Sequence, residues 1–100
     1  RCIIKKGFFH DVLNNDDLKK EIKKISLAFI DCDLAISSQP AFEFMKNRMA
    51  NGSFIVIDDY FNIDEEGNSI REEFKKHFDI NKNVFKFSRC KKKDLICLTC

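Results

Sequence analysis

The sequence predicts an α/β fold in which a mostly parallel sheet is followed by an antiparallel hairpin. Two nearly continuous apolar runs, Ile25–Ile30 and Ser53–Ile57, are typical of parallel strands that are buried on both faces. A helix-length segment lies between them, so the three elements form a strand–helix–strand unit with a right-handed crossover. Near the C-terminus, alternation in Val84–Arg89 and a second run at Leu95–Thr99 predict the hairpin, with a turn at Lys91–Asp94.

Length and composition limit the chain to one small domain. The 100 residues suffice for a single core, and we treat residues 1–100 as part of one domain. The net charge of +2 is too small to argue for nucleic acid, and no apolar run approaches the length of about 18 residues that spans a membrane. Five cysteines, an odd number, favour reduced thiols in the cytoplasm over a disulfide framework. The sequence does not indicate an oligomeric state.

The N-terminal quarter is predicted to hold a strand and a helix before the first buried run. Cys2–Lys5 has the composition of a short strand, which Gly7 ends, and a loop follows. The cluster Asn14-Asn15-Asp16 predicts a turn and a helix cap, because these side chains bind free backbone N–H groups. A short charged helix is therefore expected over Asp17–Lys24.

A helix is predicted to connect the two buried runs. Ser37-Ser38-Gln39-Pro40 indicates its start, because serine caps free N–H groups and proline is tolerated in a first turn. Phe42, Met45 and Met49 then recur at helical spacing and form an apolar face. Asn51-Gly52 predicts the end of this helix, since glycine readily adopts a left-handed cap conformation.

An acidic segment and a further helix are predicted after the second buried run. Phe61–Gly67 is polar and is interpreted as a mobile loop. Ile70, Phe74 and Phe78 recur at every fourth position, which predicts a helix over Asn68–Phe78 with one apolar face.

Pairs of acidic residues follow both buried runs. Asp31 and Asp33 come after the first run, and Asp58 and Asp59 come after the second. The carboxyl ends of neighbouring parallel strands meet at one rim of the sheet, which is where open α/β sheets bind their ligands. Up to four carboxylates at such a rim repel one another unless a cation lies among them, and a hard divalent metal is the simplest candidate.

The segment ISLAFIDCDLAISSQPAFEFMKNRMANGSFIVIDDY resembles the macrocin O-methyltransferase family, within the class I S-adenosylmethionine-dependent methyltransferases. In that family a strand ends in Asp-x-Asp, a helix begins with a Ser/Thr cluster, and the next strand ends in Asp-Asp-Tyr. The flanking pieces KKGFFHDVL and GNSIREEFKKHF are similar to the family's Gly-aromatic loop and Gly-led helix. The resemblance implies a Rossmann-like sheet, of which this chain would be the C-terminal half, with the N-terminal strands missing.

The resemblance also implies a set of site residues. Asp33 would face a hydroxylated small-molecule acceptor, such as a sugar, as a general base. Gly7 and Phe8 would approach the adenine of S-adenosylmethionine, and Asp31 would contact this cofactor as well. A magnesium ion would hold the acceptor oxygen in line with the methyl group and lower the pKa of its hydroxyl. The implied magnesium ligands are Asp31, Asp58 and Asp59.

The chain also departs from the family pattern. Ala35 stands where the family often has tyrosine, and no Gly-x-Gly loop is present, since the only glycines are Gly7, Gly52 and Gly67. The acidic residue that would hold the cofactor ribose is missing too. We therefore expect that residues 1–100 alone bind S-adenosylmethionine poorly and are inactive without an upstream part.

Three other interpretations stay open. An Asp-x-Asp after an apolar strand also begins the haloacid-dehalogenase-type phosphatases, where Asp31 would be the nucleophile, Asp33 the acid and Asp58-Asp59 the magnesium ligands. A nucleotide-sugar transferase could use Asp-x-Asp for a metal, but it would leave the second acidic pair unexplained. A truncated remnant without catalysis is the third alternative.

Overall fold

The computed structural model describes residues 2–78, 86–89 and 96–99. Helices and strands alternate through most of these ranges, so the α/β class is confirmed. The elements are α1 (Phe9–Val12), α2 (Asp16–Glu21), β1 (Ile25–Ile30), α3 (Ala35–Met45), β2 (Met49–Ile57), α4 (Ile70–His77), β3 (Lys86–Arg89) and β4 (Ile96–Thr99).

The four strands form one sheet in the order β1-β2-β4-β3. β1 and β2 are parallel, as the two buried runs predicted, whereas β4 lies antiparallel to both β2 and β3. The expectation of a mostly parallel sheet is therefore wrong for the described strands, because only α3 supplies the crossover connection that parallel neighbours need. The turn predicted at Lys91–Asp94 lies outside the described residues, so a hairpin there stays a prediction.

β2 begins earlier than predicted, because Asn51-Gly52 lies inside this strand and does not end a helix. The register of β2 against β1 is interrupted there, since the flanking pairs are Ile25–Met49 and Leu27–Phe54. Several residues of β2 thus stand opposite Ser26 alone, which makes this segment a bulge. Gly52, at φ +77°, supplies the left-handed backbone that the bulge needs. The Asn-Gly signal marks a distortion within a strand, and Met49 lies in β2 instead of on the helix face.

α3 begins at Ala35, before the serine cluster that was expected to cap it. The residue at its cap position makes no side-chain hydrogen bond. Ser38 instead donates to the carbonyl of Ala35 at 2.6 Å, and Pro40 lies inside the helix. Proline at that position removes the hydrogen bond to the Ile36 carbonyl.

Residues 2–6 form no helix or strand, so the strand predicted at Cys2–Lys5 is wrong in this structure. β1 is the end strand of the described sheet, and its outer edge pairs with no other strand in the described ranges. A short strand needs a neighbour to satisfy its backbone groups. Residues 2–6 are not part of the sheet that the described strands form, and Ile4 is 87% exposed. Strand composition alone was therefore insufficient to order this segment.

The core lies between α3 and α4 on one side and one face of β1 and β2 on the other. The predicted helix with one apolar face is confirmed as α4, in which Ile70 and Phe74 are buried. Ser69 caps α4 by accepting a hydrogen bond from the N–H of Glu72 at 3.2 Å. Phe42 of α3 meets Phe74 edge to face, with 5.6 Å between the ring centroids. This aromatic contact packs the two helices against each other.

The opposite face of β1 and β2 is apolar and open to solvent. Leu27 lies beside Phe54, and Phe29 lies beside Val56, so these side chains share that face. Leu27, Phe29 and Phe54 are exposed, so the expectation that β1 and β2 are buried on both faces is wrong for the described structure. In the described ranges, no helix combines the length and the apolar character that a membrane crossing requires.

Candidate functional site

The parallel strands bring the two acidic pairs to one edge of the sheet. The N–H of Asp58 donates to the carbonyl of Ile30 at 2.9 Å, which continues the pairing of β1 with β2 beyond their ends. Asp31 and Asp58 therefore follow neighbouring strand ends. Cys32 is buried, whereas Asp31 and Asp33 on either side of it are exposed. Backbone alternation thus keeps both carboxylates of the first pair out of the core.

The predicted magnesium ligands do not form a metal site in this arrangement. Within the described part of the chain, no three His, Cys, Asp or Glu side chains make a group that could hold a metal ion. Asp58 Oδ1 instead accepts from the N–H of Asp59 at 3.1 Å, and Asp59 Oδ1 accepts from the side-chain amide of Asn62 at 3.0 Å. The shared edge places Asp31, Asp58 and Asp59 on adjoining backbone segments, but it does not determine the directions of their side chains.

A tight turn over Asp59–Asn62 follows β2. Asp59 has φ +54°, a left-handed conformation that few non-glycine residues adopt and that aspartate tolerates better than most. Asn62 closes the turn, since its N–H donates to the carbonyl of Asp59 at 3.1 Å and its side-chain amide donates to Asp59 Oδ1. Sequence reasoning missed Asn62. The available signal was an asparagine three residues after an aspartate at a strand end, which is a turn pattern.

A cleft of about 900 Å³ opens between the start of α3 and residues 62–73. Asp33 lines this cleft, whereas Asp31, Asp58 and Asp59 do not. Leu34, Ile36 and Ile63 contribute apolar surface to its wall, and no lysine, arginine or histidine of the described residues lines it. Its other acidic lining residues are Asp64, Glu65, Glu66 and Glu73.

The wall formed by residues 62–69 is a hydrogen-bonded turn. Asp64 Oδ1 accepts from the N–H of Glu66 at 3.0 Å and from the N–H of Asn68 at 2.7 Å. A short bridge between Ile63 and Ser69 closes the segment. The loop predicted at Phe61–Gly67 thus lies outside the regular helices and strands, and much of its backbone is satisfied by Asp64.

A smaller pocket of about 440 Å³ lies beside Gly7 and Phe8, the two residues predicted to approach adenine. Cys32 and Pro40 line it from the side of the sheet and of α3. His10 also lines this pocket, and its ring is stacked on Phe8 with 5.7 Å between centroids. The predicted pair is therefore brought into a concave, aromatic-lined site next to the carboxyl end of β1, while Asp31 does not line the pocket.

Cys32 is predicted to be far less reactive than Cys2. Burial first, and then the charges of Asp33, Asp31 and Asp59, raise the pKa of the Cys32 thiol to about 11. Because the thiolate is the nucleophile, iodoacetamide at pH 8 should modify Cys32 at least ~10-fold more slowly than the exposed Cys2. Peptide mass spectrometry of a time course would measure both rates in one sample, and equal rates would contradict the prediction.

The same shift has a consequence for stability in alkali. The unfolded thiol ionises near its ordinary pKa of 9.0, and the folded thiol only near 11. The contribution of Cys32 to folding is thus fully present below about pH 9 and is lost as the pH rises towards 11.

Gly7→Ala is predicted to destabilise the chain more than Gly67→Ala. Both glycines have positive φ angles, +147° and +84°, so each alanine would strain the backbone. A Cβ atom at Gly7 would also stand 2.8 Å from Cγ2 of Val12, whereas one at Gly67 would meet nothing within 4 Å. We expect a loss of about 1–3 kcal/mol in the free energy of unfolding for Gly7→Ala. Urea denaturation of the two variants side by side would test this, and an equal loss would exclude the contact with Val12 as a cause.

Comparison with known protein families identifies a family model that covers most of the chain. The family model described as Macrocin-O-methyltransferase (TylF) matches residues 1–90. This range includes both acidic pairs, the cleft residues and the pocket at Gly7 and Phe8. Neither the search of curated proteins nor the search of solved structures found a match.

Proposed function

The chain belongs to the macrocin O-methyltransferase family, and from that premise we propose that it takes part in S-adenosylmethionine-dependent methyl transfer to a hydroxyl group of a sugar or another small metabolite. The observation that carries this proposal is the cleft of about 900 Å³ with Asp33 in its wall. It lies just beyond the carboxyl end of β1, where α/β sheets bind their ligands.

Asp33 is the residue that we propose as general base. It is exposed, it lines the cleft, and its backbone lies between the end of β1 and the start of α3. A carboxylate in that place can accept the proton of an acceptor hydroxyl that lies in the cleft. The amide side chains of Gln39, Asn62 and Asn68 line the same cleft. They can donate hydrogen bonds to the other oxygens of a hydroxylated acceptor.

The smaller pocket at Gly7 and Phe8 suits the adenine of the cofactor. Its lining is mainly apolar and contains Cys32 and the stacked rings of Phe8 and His10. These residues offer apolar contacts to a flat heteroaromatic ring. Ile36 lines both this pocket and the cleft. The two sites are therefore neighbours, as methyl donor and acceptor must be.

The chemistry requires little from the protein beyond alignment and proton removal. S-adenosylmethionine supplies a methyl group on a sulfonium, which is already electrophilic. Asp33 would take the proton of the acceptor hydroxyl as its oxygen bonds the methyl group, and the cofactor, when bound, would supply that methyl group and leave as a neutral thioether. Since the predicted magnesium ligands do not make a metal-holding group, no step here relies on a metal ion, and magnesium binding stays a prediction from the resemblance.

The experiment that tests the proposal is methyl transfer by residues 1–100 joined to the upstream part without which they are expected to be inactive. Tritiated S-adenosylmethionine is incubated with the protein and a panel of glycosides and free sugars, and the tritium in the acceptor is counted. Transfer to a hydroxyl oxygen, identified by mass spectrometry of the product, is the expected result. Hydrolysis of a generic aryl phosphate without methyl transfer would overturn it in favour of the phosphatase interpretation.

A further inference from the structure

We propose that the side chain of Ile36 contacts both the cofactor and the acceptor, and that it is the shared binding residue of the donor and acceptor sites. This inference rests on the proposed function, because it takes the pocket at Gly7 and Phe8 as the adenine site and the cleft as the acceptor site. Among the described residues that line these two cavities, Ile36 alone lines both. A bound cofactor and a bound acceptor would therefore meet at this residue.

Ile36 lies outside the hydrophobic core. It is 73% exposed, whereas Phe42, Phe44 and Met45 on the same helix are buried. Its apolar surface is thus free to be covered by a ligand, and covering it removes apolar area from water. The affinity gained in this way is about fourfold for each carbon group that is buried. A substitution at Ile36 should accordingly change ligand binding without weakening the packing of α3.

The position and the branching of Ile36 suit a fixed wall that two ligands share. It is the second residue of α3 and follows the buried Ala35, so its backbone belongs to a regular helix. A β-branched side chain in a helix has one strongly preferred χ1 rotamer. Little rotamer freedom is therefore lost when a ligand covers Ile36, and its methyl groups have a defined place.

Two other exposed isoleucines provide matched controls. Ile63 is 71% exposed and lines the cleft but not the pocket at Gly7 and Phe8, whereas Ile4 is 87% exposed and lines neither. Loss of the Ile63 side chain should affect only the acceptor, and loss of the Ile4 side chain should affect neither ligand. These variants separate a general effect of removing an exposed isoleucine from an effect of the shared position.

The first experiment measures both affinities in residues 1–100 joined to their upstream part. Calorimetric titration with S-adenosylhomocysteine, which carries the same adenine but no methyl group to transfer, gives the dissociation constant on the cofactor side. The KM for the glycoside with the highest turnover in the methyl-transfer panel reports on the acceptor. We expect Ile36→Ala, which removes three carbon groups, to raise both constants about 4- to 15-fold with Tm nearly unchanged.

The comparison among variants decides the outcome of this experiment. Ile36→Val removes one carbon group and should raise each constant about fourfold or less. Ile63→Ala should raise only the KM for the glycoside, and Ile4→Ala should raise neither constant. If Ile36→Ala raised only one of the two constants, or neither, the proposal of a shared contact would be overturned.

Methyl NMR tests the contact without any substitution. With ¹³C-labelled isoleucine methyl groups, the δ1 signal of Ile36 should shift on addition of S-adenosylhomocysteine and, in a separate titration, on addition of the glycoside. The signal of Ile63 should shift with the glycoside only. An Ile36 signal that does not respond to S-adenosylhomocysteine at a concentration where calorimetry shows binding would refute the shared contact, while methyl transfer itself would stand. If the protein transfers no methyl group to any acceptor, the proposed function fails and the shared contact fails with it.

Discussion

Replacing Phe74 with alanine is expected to lower the free energy of unfolding by about 3–5 kcal/mol, the usual cost of removing a buried aromatic side chain. Phe74 is fully buried in the core cluster. Its ring contacts Phe42, Phe78 and Tyr60 at centroid distances of 5.6, 4.8 and 6.4 Å. Small domains have a total stability of only about 5–15 kcal/mol. The variant should therefore lie close to the limit of folding at ordinary temperature.

Urea denaturation followed by circular dichroism would measure this loss. Phe54→Ala is the matched control, because it removes the same side chain from the open face of the sheet, where Phe54 is 46% exposed. We expect the control to cost about 1 kcal/mol or less. A similar loss for the two variants would mean that the layer between α4 and the sheet is not the main core of the molecule.

Asp33→Asn is expected to lower the rate of methyl transfer by about 10²- to 10⁴-fold, the range that general base catalysis usually contributes. Asparagine has nearly the size of aspartate and can occupy the same place in the cleft wall, but its amide cannot accept the proton of the acceptor. Because Asp33 is exposed and lies outside the core, the substitution should leave the fold intact. Turnover should fall while Tm stays within a few degrees.

Initial rates of tritium transfer at saturating S-adenosylmethionine would measure this effect. Asp17→Asn, at the exposed start of α2, removes an equal charge away from the cleft and serves as the control. If Asp33→Asn raised only the KM for the acceptor and left turnover unchanged, Asp33 would bind the substrate and the proton would go elsewhere. Full activity of the variant would exclude any role of Asp33 in the reaction.

Apolar patterning made the central elements predictable. β1 is bounded as the apolar run Ile25–Ile30 indicated. α4 places Ile70 and Phe74 in the core, because apolar residues that recur at every fourth position form one face of a helix. Local turn signals were less reliable. Asn51-Gly52 lies in a bulge inside β2, because pairing with β1 outweighed the local turn preference of these residues. Pro40 lies within α3, because the packing of that helix outweighed the local preference of proline.

The candidate site was predictable as far as the backbone determines it. The order strand–helix–strand sufficed to place Asp31 and Asp58 at neighbouring strand ends. Two parallel strands run in the same direction, so their carboxyl ends lie at the same edge of the sheet. It could not give the directions of the carboxylates, which depend on hydrogen bonds such as the one from Asn62 to Asp59. The cleft was also beyond sequence reasoning, since its far wall is a turn organised by a single side chain, Asp64.

The uncovered side of the sheet has a practical consequence for anyone who handles the chain in solution. Leu27, Phe29 and Phe54 form an exposed apolar surface next to the edge of β1 that pairs with no strand of the described ranges. Contact between two such surfaces would release ordered water. Self-association of this kind grows with protein concentration, with warming towards room temperature and with sulfate in the buffer. Dilute, cool and sulfate-free samples are therefore expected to contain the largest fraction of monomeric chain.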